Sequence, residues 1–91
     1  MDLNEEIKKC FPLFETLLNN DELEEFKRLS PHDLLTKDYV FGLWIRNNLI
    51  YPENSILRSL FLDAGTKSPD EMSAWVMLLF HEYLNQKKSS K

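Results

Sequence analysis

The sequence predicts an all-α fold, a compact single-domain bundle of four to six helices with the C-terminal helix at its centre. Three observations carry this expectation. Apolar residues recur at three- and four-residue steps along most of the chain, marking one face of a helix each time. Helix-start signals repeat at Ser30-Pro31-His32-Asp33 and Ser68-Pro69-Asp70-Glu71, each a hydroxyl followed by proline and then an acid. Only residues 39–51 read as strands, and a lone hairpin with no sheet to join is marginal. A chain of 91 residues has room for a single hydrophobic core. Its hydrophobic content of 43% is enough to fill that core, which excludes global disorder.

The elements follow in order. Leu3, Ile7, Phe11, Phe14 and Leu18 form one helical face. Pro12 interrupts it, because its ring meets the carbonyl of Lys8 and it has no N–H to donate. A kink or break is expected near Cys10-Phe11, with Pro12 opening a second short helix. Asn19-Asn20-Asp21 supplies a cap for a helix over residues 21–29, which turns Leu23, Phe26 and Leu29 inward. Ser30-Pro31 opens a brief turn through Leu34-Leu35. Residues 39–48 carry β-branched and aromatic side chains that suit a strand, with Asn47-Asn48 as a hairpin turn into Leu49-Ile50-Tyr51. Helix is preferred there for want of a sheet.

Residues 51–54 form a loop, and Asn54 or Ser55 caps a helix over 56–64 with Ile56, Leu57, Leu60, Phe61 and Ala64 as its inward stripe. Gly65 is placed to stop that helix in the left-handed conformation. Ser68 and Glu71 have the spacing of a capping box, with Pro69 at the first helical position. The helix they open extends to about Asn85. Its face of Met72, Trp75, Val76, Leu79, Phe80, Tyr83 and Leu84 is widened by Ala74, Met77 and Leu78. A stripe that wide is packed by neighbours on several sides, which makes this the central helix. Residues 1–86 form the domain, and 87–91 form a frayed basic tail.

Composition narrows the function. Cys10 is the only cysteine, so there is no internal disulfide, and a free thiol suits a reducing compartment. Cys10 reads as a small half-buried residue rather than a nucleophile. The acidic start Met1-Asp2-Leu3-Asn4-Glu5-Glu6 is not a secretory signal, and the apolar run over 74–80 is far short of the ~20 residues of a membrane span. A cytoplasmic location is expected. The closing Lys87-Lys88-Ser89-Ser90-Lys91 carries +3 of a net −4, leaving −7 on residues 1–86. Glu15, Asp21, Glu22, Glu24 and Glu25 fall within residues 15–25 with no base among them. Such a segment repels nucleic acid and suits a basic protein partner, or it is a solvated helix face. These five acids are the candidate partner-binding residues.

No catalytic constellation is visible. His32, His81 and one cysteine do not make a standard zinc site, and His81-Glu82 lacks the second histidine of a metalloprotease helix because position 85 is Asn. Two glycines supply no phosphate-cradling loop, and no base stands beside Ser55, Ser59, Ser68 or Ser73. The chain reads as non-enzymatic, with no cofactor and no metal.

The distinctive stretch is Phe41-Gly42-Leu43-Trp44-Ile45-Arg46-Asn47-Asn48, which sets a guanidinium and two carboxamides against an apolar run. Polar groups so placed need partners. On the structural reading, Arg46 pairs with Asp70 or Glu71 and an asparagine caps a helix end, so that Trp44, Arg46, Asn47, Asn48, Asp70 and Glu71 form a polar network. On the functional reading they face a partner, with Trp44 as anchor. The structural reading is preferred, and with a buried pair Arg46→Ala would cost about 3–5 kcal/mol.

Gly42-Leu43-Trp44-Ile45-Arg46-Asn47-Asn48 and Pro69-Asp70-Glu71-Met72-Ser73 together resemble a family of small bacterial proteins of unknown function, with Gly-x-Trp-Ile-Arg-Asn-Asn and Pro-Asp-Asp/Glu-Met-Ser segments. Leu57, Leu60, Phe61, Gly65 and Tyr83-Leu84-Asn85 fit the same pattern, so the likeness covers about the C-terminal half. The chain departs from it at Asp38, Val40 and Ala74. The resemblance implies a non-enzymatic domain. Such small acidic proteins resemble the immunity proteins of contact-dependent or polymorphic toxin systems. That likeness implies binding and occlusion of a basic, cytosol-acting toxin such as a nuclease. The alternative is a structural or regulatory interaction module, including a homodimer joined through exposed aromatics.

Overall fold

The computed structural model describes residues 2–37 and 39–89, so Asp38 and the last two residues of the basic tail lie outside the described residues. Seven α-helices follow one another there: α1 (Leu3–Lys8), α2 (Phe11–Leu17), α3 (Asn20–Arg28), α4 (Pro31–Lys37), α5 (Tyr39–Ile45), α6 (Ile56–Asp63) and α7 (Pro69–Ser89). A π-turn, Arg46–Ile50, prolongs α5. Lys9 and Cys10 keep right-handed helical angles, so α1 and α2 are two halves of one rod kinked ahead of Pro12. Counted that way the packing units are six. The hairpin alternative for residues 39–51 is not realised. α7 runs past Asn85, where the apolar pattern ends.

Local chemistry sets the boundaries. A reciprocal capping box forms at Asn19 and Glu22: the Glu22 N–H donates to Asn19 Oδ1 (2.8 Å) and the Asn19 N–H to Glu22 Oε1 (2.9 Å). The Ser30 hydroxyl accepts from the Asp33 N–H (3.1 Å) and starts α4. Ser55 caps α6 through the Arg58 N–H (2.9 Å), and its hydroxyl donates to the Leu49 carbonyl. At the other end of α6, Gly65 sits at φ 93°. The Thr66 N–H bonds the Phe61 carbonyl (2.9 Å) and the Gly65 N–H the Leu62 carbonyl (3.0 Å), a Schellman ending that a Cβ at position 65 would strain.

The core draws on every helix. Ile7, Phe14, Leu34, Ile45, Ile50, Phe61, Val76 and Phe80 are fully buried. Phe80 of α7 is the hub, with ring centroids 5.3 Å from Phe11, 5.2 Å from Phe14, 5.6 Å from Phe26 and 6.2 Å from Phe41. Three helices, α2, α3 and α5, therefore meet on one ring of α7. That helix packs on α1, α3, α4, α5 and the π-turn, while α6 closes against α1 and the π-turn. A radius of gyration of 12.8 Å is that of a compact chain of this length.

The stripes shift at their edges. Trp75, expected inward, is 47% exposed, and its indole N–H reaches Asn4 Oδ1 at 3.4 Å. Ser73 takes a buried place instead. Ile56 and Ala64 also lie outside, so Leu57 and Phe61 do the burying on α6.

Candidate functional site

The π-turn explains how the Arg-Asn-Asn segment is presented. Its defining bond runs from the Tyr51 N–H to the Arg46 carbonyl (2.8 Å), five residues back. In an α-helix Ile45 and Ile50 would point in different directions, whereas the wider turn brings both fully into the core. The Asn48 amide donates to the Trp44 carbonyl (2.9 Å), just before the register changes. Asn47 stays exposed, and Trp44 lies half-buried with its ring 6.3 Å from Phe14.

Arg46, at the start of the turn, reaches across to the first turn of α7. Nη1 donates to the Ser73 hydroxyl (2.9 Å) and lies 3.3 Å from Asp70 Oδ1. The Ser73 hydroxyl in turn donates to the Asp70 carbonyl (3.0 Å), so its oxygen is satisfied although buried. Beside these groups is a cleft of about 410 Å³ lined by Gly42, Arg46, Asp70, Glu71 and Ser73 among others. Its one guanidinium already faces a carboxylate, which makes it a poor anion seat.

The structure thus brings Arg46 and Asp70 together and adds Ser73. Glu71 and Asn47 point to solvent, and Asn48 serves its own helix. The Arg46–Asp70 pair is not buried on both sides: the Arg46 side chain is 17% exposed, but Asp70 is 85% exposed. Water screens that pair, so the cost expected for a buried pair is too high. Arg46→Ala is instead expected to cost about 1–2 kcal/mol, from the lost bond to Ser73 and the packed stem. Asp70→Asn is expected to cost less than about 1 kcal/mol. Urea denaturation of both variants checks the order. A loss as large from Asp70 as from Arg46 would restore the strong pair.

The five acids separate into two groups. Glu15 accepts from the Tyr83 hydroxyl of α7 at Oε2 (3.2 Å), Glu22 closes the capping box, and Glu24 pairs with Lys27 (3.1 Å). These three serve the fold. Asp21 and Glu25 stand one turn apart on the outward face of α3, and among the described residues neither has a hydrogen-bond or ion-pair partner.

His81 and Asn85 form a clasp that the sequence reading did not anticipate. His81 Nε2 lies 2.7 Å from the Leu29 carbonyl, and since a carbonyl only accepts, that nitrogen carries the proton. The ring stands edge-on to Phe26 at 5.9 Å. Asn85 donates to the His81 carbonyl (2.9 Å) and comes within 3.5 Å of the Lys27 carbonyl. Together they serve carbonyls that the end of α3 leaves without helical partners. The available signal was a polar pair four residues apart beside the apolar stripe of α7.

Cys10 is half-buried, and burial, aided by Glu6, pushes its thiol up, away from the reactive thiolate. Among the described residues no three His, Cys, Asp or Glu side chains converge as metal ligands would, and no helix is long and apolar enough to cross a membrane.

No curated protein and no solved structure matches the chain. Residues 5–84 match the domain of unknown function DUF6794. That span takes in α2 and α3 with their acids as well as the Arg46 and α7 segments, a wider likeness than the C-terminal half alone. A match over so much of the chain places it: this protein belongs to the DUF6794 family.

Proposed function

We propose that this chain acts by binding a protein, and that it neutralises a basic, cytosol-acting toxin domain by occluding its working surface, as immunity proteins do. The observation that carries the reading is the state of Asp21 and Glu25, exposed and unpartnered on α3 while the neighbouring acids are spent on the fold. Carboxylates left free on an acidic body steer a basic partner toward it and orient its approach. The net charge of −4 strengthens that steering at long range, and salt screens it over about 8 Å at physiological ionic strength. Non-enzymatic action fits Arg46, Ser73, His81 and Asn85, whose partners are groups of the same chain. A regulatory interaction module is the second reading, favoured by the exposed Leu13 and Leu17 of α2.

The test is genetic and kinetic. The product of the adjacent reading frame is expected to be a toxin with a basic terminal domain, and co-expression of this chain is expected to restore growth. Asp21→Asn with Glu25→Gln is expected to slow association at low salt and flatten its salt dependence, with only a small loss of thermal stability because Asp21 stands in the first turn of α3. A neighbouring frame that encodes no toxin, or growth arrest that the parent chain does not relieve, would end the immunity reading.

A further inference from the structure

The outward flanks of α2 and α5 both carry exposed apolar side chains. On α2, Phe14 turns into the core and Glu15 leans to Tyr83 of α7, which leaves Leu13 and Leu17, one turn apart, on the flank away from α7. On α5, Phe41 turns into the core and Gly42 lies against Met77 of α7, which leaves Val40 and Trp44 on the flank away from α7. Phe14 meets Phe41 edge-on at 5.2 Å and Trp44 at 6.3 Å, so the two helices meet beneath these flanks. The surface is open: Leu13 is 46%, Leu17 42% and Val40 67% exposed. Asp21 follows Leu17 by four residues and so lies within about 14 Å of it, with Glu25 one turn further along the same face of α3. An apolar centre with a charged margin is the anatomy of a protein interface.

We infer that the Leu13–Leu17 flank of α2 and the Val40–Trp44 flank of α5, bordered by Asp21 and Glu25, form the docking surface for a basic protein, which seats an apolar segment edged by lysine or arginine. The surface deepens the binding role proposed above and rests on it. Charge selects the occupant. A second copy of this chain carries the same net −4 and is repelled on approach, whereas a cationic partner gains at Asp21 and Glu25.

The test uses the full isotope-labelled chain and a synthetic amphipathic helix of leucine and lysine, with a leucine and glutamate helix as control. The cationic helix is expected to shift backbone amides over residues 13–17, 21–25 and 40–44, and the anionic helix is expected to leave them unmoved. Leu13→Ser with Leu17→Ser is expected to weaken binding about tenfold. Asp21→Asn with Glu25→Gln, both exposed, is expected to weaken it and flatten its salt dependence while the chain stays folded. Shifts that map elsewhere, equal binding of the two helices, or self-association through these residues would overturn the surface. Its failure is separable from that of the toxin reading. If Leu13→Ser with Leu17→Ser still protects cells as the parent does, the surface is wrong and neutralisation stands. If the cationic helix docks here and no toxin is encoded nearby, the surface stands and the toxin reading falls.

Discussion

Phe80→Ala is expected to cost about 3–5 kcal/mol, the largest loss from any single truncation in this chain. Phe80 is fully buried, and its ring contacts reach α2, α3 and α5 from the middle of α7. Alanine removes the ring on which those helices converge, and helices as short as α2 and α3 have little stability of their own to hold them in place. Domains of this size are stable by only about 5–15 kcal/mol, so the variant should stand near the edge of folding at growth temperature. Far-ultraviolet circular dichroism with urea titration reads the loss. Phe80→Leu refills most of the volume and is expected to recover more than half of it. A Phe80→Ala protein as stable as the parent would mean that the rings around it do not form a cooperative core.

Gly42→Val is expected to destabilise by about 2–3 kcal/mol, although valine is the better helix former. The reason is the crossing of α5 and α7. A Cβ at position 42 would lie 3.2 Å from the Met77 terminal methyl and 3.5 Å from Arg46 Nη1. Alanine is absorbed by a small movement of the flexible Met77 end, offset by its higher helix propensity. Valine adds two more methyl-sized groups against the same wall and strains the Arg46 bond to Ser73. Thermal melts of the alanine and valine variants should therefore diverge, with alanine near the parent. A valine variant that melts with the parent would show that the two helices can part without cost.

Much of the fold was legible because its signals are local. Asn19, Ser30, Ser55 and Gly65 act on neighbours within a few residues, and a chain with one short strand-like stretch has no sheet to build. Harder to see was anything that depends on which neighbour covers a face. Trp75 and Val76 are adjacent and similarly apolar, yet only Val76 meets the core, because the wide stripe of α7 runs further than the other helices reach. The candidate site divides the same way. Arg46 and Asp70 were recognisable as opposite charges in two distinctive strings. Ser73 between them looked like any surface serine. Glu15 read as a free acid because its partner, Tyr83, lies at the far end of the chain, where no periodicity reports contact.

The π-turn also loosens the tie between chain length and shape. Ile45 and Ile50 share a face only because the helix there takes in one residue more than an α-helix would, with Asn47 and Asn48 on the outer side of the bulge. In the ordinary register, the residue four places after Ile45 points the way Ile50 does now. A chain lacking one of the two asparagines would close as a plain helix and present the same pair of isoleucines to the core. The segment is thus a slack loop of thread inside a rigid rod. It is the place where this fold can lose a residue without moving the helices on either side.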